Sequence, residues 1–524
     1  MAPVKTAKPE RTHDPATVLA LLSRSDVPLS RDAILSWLQT TKPVTPIQAE
    51  ELAKCCEEKH SIPPQDAKHR LKIVRREWKS PPEPLRPVWD FRKDVAYCAV
   101  RIMESSQGNG VVEPAHSVVK IVTSNREVLD PDELESQGLH IDENWWEEQP
   151  TADWSPPAVG RFVEGNAEPP APADIFRRIA ENLRFYCDLP PIGHLPPERV
   201  IEGLGLWIMH TYLLPIWDAT GYVFLTSALP GAGKSRVAEV IERMAFNSRL
   251  VGATTTPPEI RDLCHWGGTL IVDDVPNLKE MKDGLAVYLP GYRRSGAKVH
   301  LKQSKGNNLW RSRVVNTFSP KIFTTLKGAD PALATRMFNI TMVKTQDGAL
   351  SRRDPSRVPP PHDFQVLRDD LYHLAFCSMS KVRGVYQAEI EAQEGRSHER
   401  WRPLFALALW IDPDGLYRRM VELAEVWELE SAREQAEETG CAPILRALLR
   451  LVKEGEETVT AGDVAERCQP VPLEAGLVGR LLGGMPSVTR LPKLLDGCTQ
   501  YRLNREAILA EAGRLGLVTE SKAA

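Results

Sequence analysis

The 524-residue sequence has no apolar run approaching the roughly 20 residues that a membrane-spanning helix requires, so no membrane partner is expected. Met1–Arg11 lacks the apolar core of a secretory signal, and the expectation that follows is a cytoplasmic protein. Cysteine is sparse. The nine cysteines are scattered without a C-x-x-C pair, and Cys55-Cys56 with His60 is a poor metal spacing. Reduced thiols are therefore expected, not a disulfide framework or a zinc site. Charge of one sign is lacking too: 66 Lys and Arg against 70 Asp and Glu leave a net charge of −4. A general attraction to nucleic acid is thereby excluded, and any such contact has to come from a local patch. What is present is an ordinary globular composition, 42% hydrophobic and 26% charged, in a chain long enough for two to four domains.

One stretch organises the rest. Tyr222–Ser235 reads Tyr-Val-Phe-Leu-Thr-Ser-Ala-Leu-Pro-Gly-Ala-Gly-Lys-Ser. Val223–Leu225 predicts a buried strand, and Arg236–Ala245 has helical periodicity. Between them Pro230, Gly231, Ala232, Gly233, Lys234, Ser235 and Arg236 form a loop of the phosphate-cradling kind. Backbone N–H groups reach phosphate oxygens only where no Cβ intrudes, which is the reason for the glycines. Lys234 is placed to neutralise terminal phosphates, and the Ser235 hydroxyl to take one coordination position on Mg²⁺. The loop pattern asks for glycine where Ala228 stands, so the motif is degenerate at its first position.

Further strands are expected at Ser248–Thr254, Thr269–Val275, Lys321–Thr325 and Phe338–Val343. Thr269–Val275, reading Thr-Leu-Ile-Val-Asp-Asp-Val, is an all-apolar strand ending in two acids, as a Mg²⁺–water site requires. Asp273 is assigned to the metal and Asp274 to the attacking water. Asp274 is one methylene shorter than the usual Glu.

Between strands lies a basic stretch. Tyr292–Lys321 holds Arg293, Arg294, Lys298, Lys302, Lys305, Arg311, Arg313 and Lys321 and no acid. Lys298–Gln303 and Leu309–Thr317 predict two strands joined through Lys305-Gly-Asn-Asn308, a hairpin-turn signal. Lys298, Lys302, Lys305, Arg311 and Arg313 are candidate phosphate contacts, and Trp310 a candidate for stacking on a base.

Lys327-Gly-Ala-Asp-Pro-Ala-Leu-Ala-Thr-Arg336, just before the last strand, resembles the arginine-finger region of AAA+ ATPases. That resemblance spans Tyr222–Val343. It implies a parallel α/β sheet binding ATP and Mg²⁺, with Arg336 reaching the γ-phosphate of a neighbouring subunit in a hexamer or other ring. Thr324 and Thr325 stand where that family places a polar sensor, normally Asn. More widely, Pro215–Leu515 looks like P-loop ATPases of phage and mobile-element replication modules. The marks are Trp207-x-x-His210-Thr211, the loop itself, Gly291-Tyr-Arg-Arg-Ser-Gly, Ser319-Pro-Lys and Arg400-Trp-Arg-Pro-Leu-Phe-Ala-Leu-Ala-Leu. The resemblance implies helicase-type work on single-stranded or forked DNA in DNA replication.

Elsewhere the reading is coarser. Residues 1–141 are expected to be α-rich, with helices at Pro15–Ser23, Ser30–Gln39, Thr45–Lys59, Pro64–Lys79 and Val88–Met103, and a strand at Ser117–Thr123. The basic run Lys68–Arg76 is either a solvated face or a nucleic-acid contact. Residues 142–172 read as an acidic, proline-rich connector docked by Trp145, Trp146 and Trp154; 173–350 as the core; 351–440 as linker and helical lid, with Arg400 or Arg402 as a second nucleotide-sensing arginine. Residues 441–524 follow the helix-helix-helix-hairpin order of a winged helix, with Thr460 and Asp463 forming a capping box. Its third helix carries only Arg480, so DNA contact and protein docking stand equal. The expected whole is an ATP-driven DNA motor, with Lys234, Asp274 and Arg336 catalytic and Ser235 and Asp273 on the metal. The alternatives are an ATP-controlled switch or helicase loader without translocation, and a small-molecule kinase.

Overall fold

A computed structural model describes the chain except residues 1–12, 24–28, 43, 45, 72–83, 105–106, 109–110, 113–115, 137, 144, 166–167, 253, 276–281, 305–309, 327, 393–395, 470, 493–498 and 518–524. Two compact units result, Met1–Pro84 and Leu85–Ala524, so the expected division after residue 141 falls inside the second. Among the described residues no helix is long and apolar enough to cross a membrane.

The first unit holds α1 (Pro15–Leu22), α2 (Arg31–Thr40), α3 (Pro46–His60) and α4 (Pro64–Arg70) around Val18, Leu22, Ile34, Leu38, Leu52 and Cys56. Asp14 and Ser30 cap α1 and α2 by accepting from the backbone N–H of Ala16 and Ala33, while the proposed Thr45 cap lies outside the described residues. The cations of α4 have internal partners: Lys68 pairs with Glu50, and Arg70 donates to Gln39 Oε1 at 3.2 Å. Lys72, Arg75 and Arg76 lie outside the described residues.

The second unit opens with an antiparallel sheet where a helix is expected. β1 (Asp90–Arg92) pairs with β2 (Val95–Glu104), which pairs with β5 (His116–Thr123) and through it with β6 (Val128–Leu129); β3 (Gln107–Gly108) and β4 (Val111–Val112) form a small side ribbon. The joining residues Lys93 and Asp94 have φ of 48° and 64°, and Arg92 faces Val95. A two-residue turn with both φ positive matches strand twist, and β-branched residues stiff at χ1 complete the preference for strand. This corrects the expected Val88–Met103 helix. The expected strand Ser117–Thr123 is found.

α5 (Pro131–Ser136), α6 (Trp145–Glu148) and α7 (Pro156–Val163) follow, then α8 (Pro172–Tyr186) and α9 (Pro197–Tyr212). Trp145 and Trp154 are buried, so the acidic connector is docked by tryptophan, as its composition indicates. Trp154 stacks on Tyr372 at 5.5 Å, and Trp89 meets Phe376 at 5.0 Å while donating Nε1–H to Tyr212 O at 2.7 Å. Such ring pairs contribute about 0.5–1.5 kcal/mol each beyond their buried area.

The organising sheet comes next: β7 (Tyr222–Thr226), α10 (Lys234–Glu242), β8 (Arg249–Gly252), α11 (Pro257–His265), β9 (Leu270–Val275) and α12 (Lys282–Tyr288); the hairpin β10 (Lys298–Ser304) and β11 (Trp310–Asn316); then β12 (Lys321–Thr325), α13 (Pro331–Ala334) and β13 (Met337–Thr341). Five strands, all parallel, lie in the order β13-β7-β12-β9-β8. Both faces are covered, which is why the strands are apolar almost throughout. Val223, Leu225, Ile271, Ile322 and Ile340 face the α8–α10 side, and Tyr222, Phe224, Val272, Phe323 and Met337 face α11 and α12.

α14 (Gly348–Ser351) leads to the long helices α15 (Phe364–Ala392), α16 (Arg396–Ile411) and α17 (Leu416–Thr439), which share the α8–α9 core. The C-terminal part is α18 (Cys441–Glu454), β14 (Thr458–Thr460), α19 (Ala461–Arg467), α20 (Ala475–Leu482), β15 (Val488–Arg490), β16 (Gln500–Leu503) and α21 (Arg505–Arg514). Four helices pack on a sheet ordered β14-β16-β15, with the Thr460–Asp463 capping box in place. The short β14 is additional to the expected order; the Asp496-Gly497 turn is outside the described residues.

Candidate functional site

The site sits where β7 ends. Its entry is fixed from behind by buried polar groups on α9. Trp207 Nε1 donates to Gly221 O at 2.7 Å. His210 Nδ1 faces Trp207 O at 2.7 Å and must carry the proton there, so Nε2 accepts from Thr220 Oγ1 at 2.8 Å. Burial pushes this imidazole down to about 4, keeping it neutral. Trp207-x-x-His210 is thus a brace for the strand.

Past Thr226 the chain turns through Gly231 and Gly233, at φ of 73° and 90°. Gly233 is the N-cap of α10 and supplies no side-chain acceptor. The first-turn N–H groups of a nine-residue helix therefore face the loop without a capping side chain, which suits an anion. Gly233→Ala is expected to cost about 1–2 kcal/mol through the left-handed backbone alone, measured as a lowered Tm.

Lys234 is only 8% exposed, and its Nζ donates to Ser227 Oγ at 2.6 Å. Burial pulls its pKa below the ordinary lysine value, against the opposing attraction of Asp274 and Asp273. Ser235 Oγ donates to Asp273 Oδ1 at 3.1 Å. The loop hydroxyl and the strand carboxylate, 38 residues apart in sequence, thus meet in space and form a pair of hard oxygen donors of the type Mg²⁺ takes.

The acids owe their aim to an irregularity in the sheet. Val272 pairs with Phe323 and Val275 with Thr325, so Asp273 and Asp274 together oppose Thr324. Asp274 takes up the extra residue at φ 53°, a conformation Asp tolerates better than most side chains. Thr324 Oγ1 donates to Asp273 Oδ1 and accepts from Asp274 N at 2.7 Å. Sequence reasoning placed Thr324 at a polar-sensor position but had no signal for this bridge, nor for the Lys234–Ser227 contact.

Arg336 lies elsewhere. Its carbonyl accepts from Tyr222 N at the start of β7, so the five-residue strand, roughly 13 Å at about 3.3 Å per residue, separates it from the loop of its own chain. Its guanidinium donates to Ala332 O and lies 5.7 Å over the Tyr292 ring, while Nε is buried without a hydrogen-bond partner. Arg400 is at the same end, donating to Met337 O at 2.6 Å and paired with Glu428, so it holds the strand start and does not face the loop. Arg236 donates to Leu350 O and Ser351 O, beyond the last strand of the sheet.

The basic hairpin forms, with Lys302 opposite Ser312 and Ser304 opposite Trp310. Alternation divides its cations. Lys298, His300 and Lys302 are exposed on one face, and Trp310 shares their register. Arg311 and Arg313 have the opposite register, and Arg313 lies 3.8 Å from Asp262 of α11. Lys305 is outside the described residues. Arg293 pairs with Glu399, and Arg294 donates to Leu214 O and Trp217 O. The stretch that contains no acid therefore finds acids and carbonyls brought by other elements.

Comparison with family models and with curated proteins gives no match for this chain.

Proposed function

We propose that the chain is a P-loop ATPase of AAA+ type that works as a ring motor on DNA. The observation that carries the reading is the convergence of Lys234, Ser235, Asp273, Asp274 and Thr324 at the carboxyl ends of three adjacent parallel strands. Open parallel sheets bind ligands at that end, beside a strand where successive connections depart to opposite faces. Here β7 is that strand: α10 leaves it on one face, and the link from β12 to β13 crosses on the other through Leu333.

The residues present fit Mg·ATP: two left-handed glycines where a Cβ would strain the cradle, a buried ammonium, and a hydroxyl–carboxylate pair. When bound, Mg·ATP supplies the phosphoanhydride to be cleaved and a divalent charge that polarises it. Lys234 and the N–H groups of α10 hold phosphate oxygens. Ser235 and Asp273 hold the metal. Asp274, turned out of the strand by its bulge, orients water, and Thr324 fixes both acids. Arg336 faces away from its own loop, which suits a role in a neighbouring copy and hence a ring.

The exposed Lys298–Lys302 face of the hairpin is assigned to the DNA backbone. Lys298→Ala and Lys302→Ala are each expected to weaken single-stranded DNA binding alike across sequences and to reduce the salt slope by about 1, measured by anisotropy at several salt concentrations. Strand displacement on a forked duplex with ATP tests the motor as a whole. The alternative, an ATP-controlled switch or loader, is favoured by the short Asp274 and by the internal pairing of Arg293 and Arg313. It predicts ATP turnover that single-stranded DNA does not raise.

A further inference from the structure

Lys321 is completely buried, and its ammonium meets oxygens of uncharged groups, a ring face and the side chain of buried Cys264. Nζ donates to Thr317 O, Ser319 O and Ser319 Oγ, each at 3.0 Å, and to Tyr222 OH at 3.4 Å, and lies 4.9 Å from the centre of the Tyr222 ring. Tyr222 OH in turn donates to Tyr288 O at 2.9 Å. The surroundings are shaped to the ammonium. A Cβ on Gly291 would stand 2.5 Å from Thr317 O and 2.9 Å from Nζ, so the backbone of the same turn requires glycine at 291 and the ammonium packs against it. A buried cation is costly unless hydrogen-bonded, and here its donors tie down one particular turn.

That turn is the foot of the hairpin. β11 ends at Asn316; Thr317 donates to Ala297 O, immediately before β10; and Lys321 is the first residue of β12. β12 runs in the interior of the sheet, in parallel register with both β7 and β9, and Thr324 near its other end holds Asp273 and Asp274. The hairpin foot and the acid pair are therefore joined by one short strand clamped at both ends.

We infer that Lys321 is a positioning residue that couples the acid pair to the hairpin, with β12 as the rigid link between nucleotide chemistry and the DNA-contacting face. This rests on the function proposed above. A movement of Asp273 and Thr324 shifts β12 along its length, and the ammonium carries the shift into Thr317 and Ser319. Without the ammonium the acids and the hairpin are both intact but move independently.

The test uses the full chain, comparing wild type with Lys321→Met, which keeps the stem and removes the donors. ATP turnover is measured with and without a single-stranded oligothymidylate, and oligothymidylate binding by anisotropy. The expected result is basal turnover and binding within about 2–3-fold of wild type and stimulation reduced from several-fold to none, a selective coupling loss of order 1 kcal/mol or less. Stimulation equal to wild type overturns the inference and leaves the proposed function standing. A loss of basal turnover as deep as the loss of stimulation also overturns it, since Lys321 would then act only through folding. Wild type that neither hydrolyses ATP nor responds to the oligonucleotide overturns the proposed function itself, and coupling with it. Should Lys321→Met fail to fold, Ser319→Ala removes a single contact of the same ammonium, and partial uncoupling with unchanged basal turnover is the result that upholds the inference.

Discussion

Replacing Lys234 with alanine is expected to lower ATP turnover by about 10²–10³-fold or more, the cost of removing one charge-stabilising donor from a water-poor site. The residue is 8% exposed and anchored by Ser227, so its ammonium acts where solvent screening is weak. Folding is not expected to suffer. Burial already disfavours the charged form, so its removal takes a strained charge out of the folded chain, and Tm should stay level or rise slightly. Calorimetric titration with Mg·ATP and a thermal melt on the same preparation separate the two effects. Unimpaired Mg·ATP uptake by Lys234→Ala would remove the foundation of the proposed site.

Arg336→Ala is expected to reduce turnover by about 10³–10⁵-fold, the range associated with an arginine supplied to a phosphoryl-transfer transition state. Nucleotide binding should change little, because a full strand length lies between Arg336 and the loop of its own chain. Sharing between copies gives a sharper test. Mixed with Lys234→Ala protein, the Arg336→Ala chain provides an intact loop and its neighbour an intact arginine, so activity should return in a fraction of the mixed sites. No recovery in such mixtures, together with a monomer by sedimentation, would remove the ring from the proposal.

How much of this was legible follows from where each signal resides. The loop could be read because its chemistry is local: glycines at forced φ, one lysine and one hydroxyl lie in a few consecutive residues. The acid pair could be read because β9 is apolar until it reaches Asp273. Strand β12 was bounded correctly at Lys321 and Thr325, since an apolar run between polar ends has few alternative readings. The β1–β2 hairpin was missed because Lys93-Asp94 adopts positive φ without the usual glycine, leaving an apolar run that fits a helix as well as a strand. The basic stretch was overcounted for a different reason. Glu399 and Asp262, which pair with Arg293 and Arg313, lie about 100 and 50 residues away and cannot be assigned from spacing. The two-against-one pairing at Thr324 has no sequence signature, because register depends on both strands at once.

The tryptophan-lined junction between the antiparallel sheet and α15 bears on how such a chain can be divided. Trp89, Trp145 and Trp154 belong to the same apolar body as Tyr372 and Phe376, which lie beyond the parallel sheet in sequence. The stretch from Leu85 to residue 172 is therefore no detachable leader. A fragment starting at Ala173 would leave one wall of that body facing water, whereas a cut near Leu85 separates two bodies that each keep their own interior. Exchange of whole modules between chains of this kind has a natural seam at Leu85 and none in the following 90 or so residues.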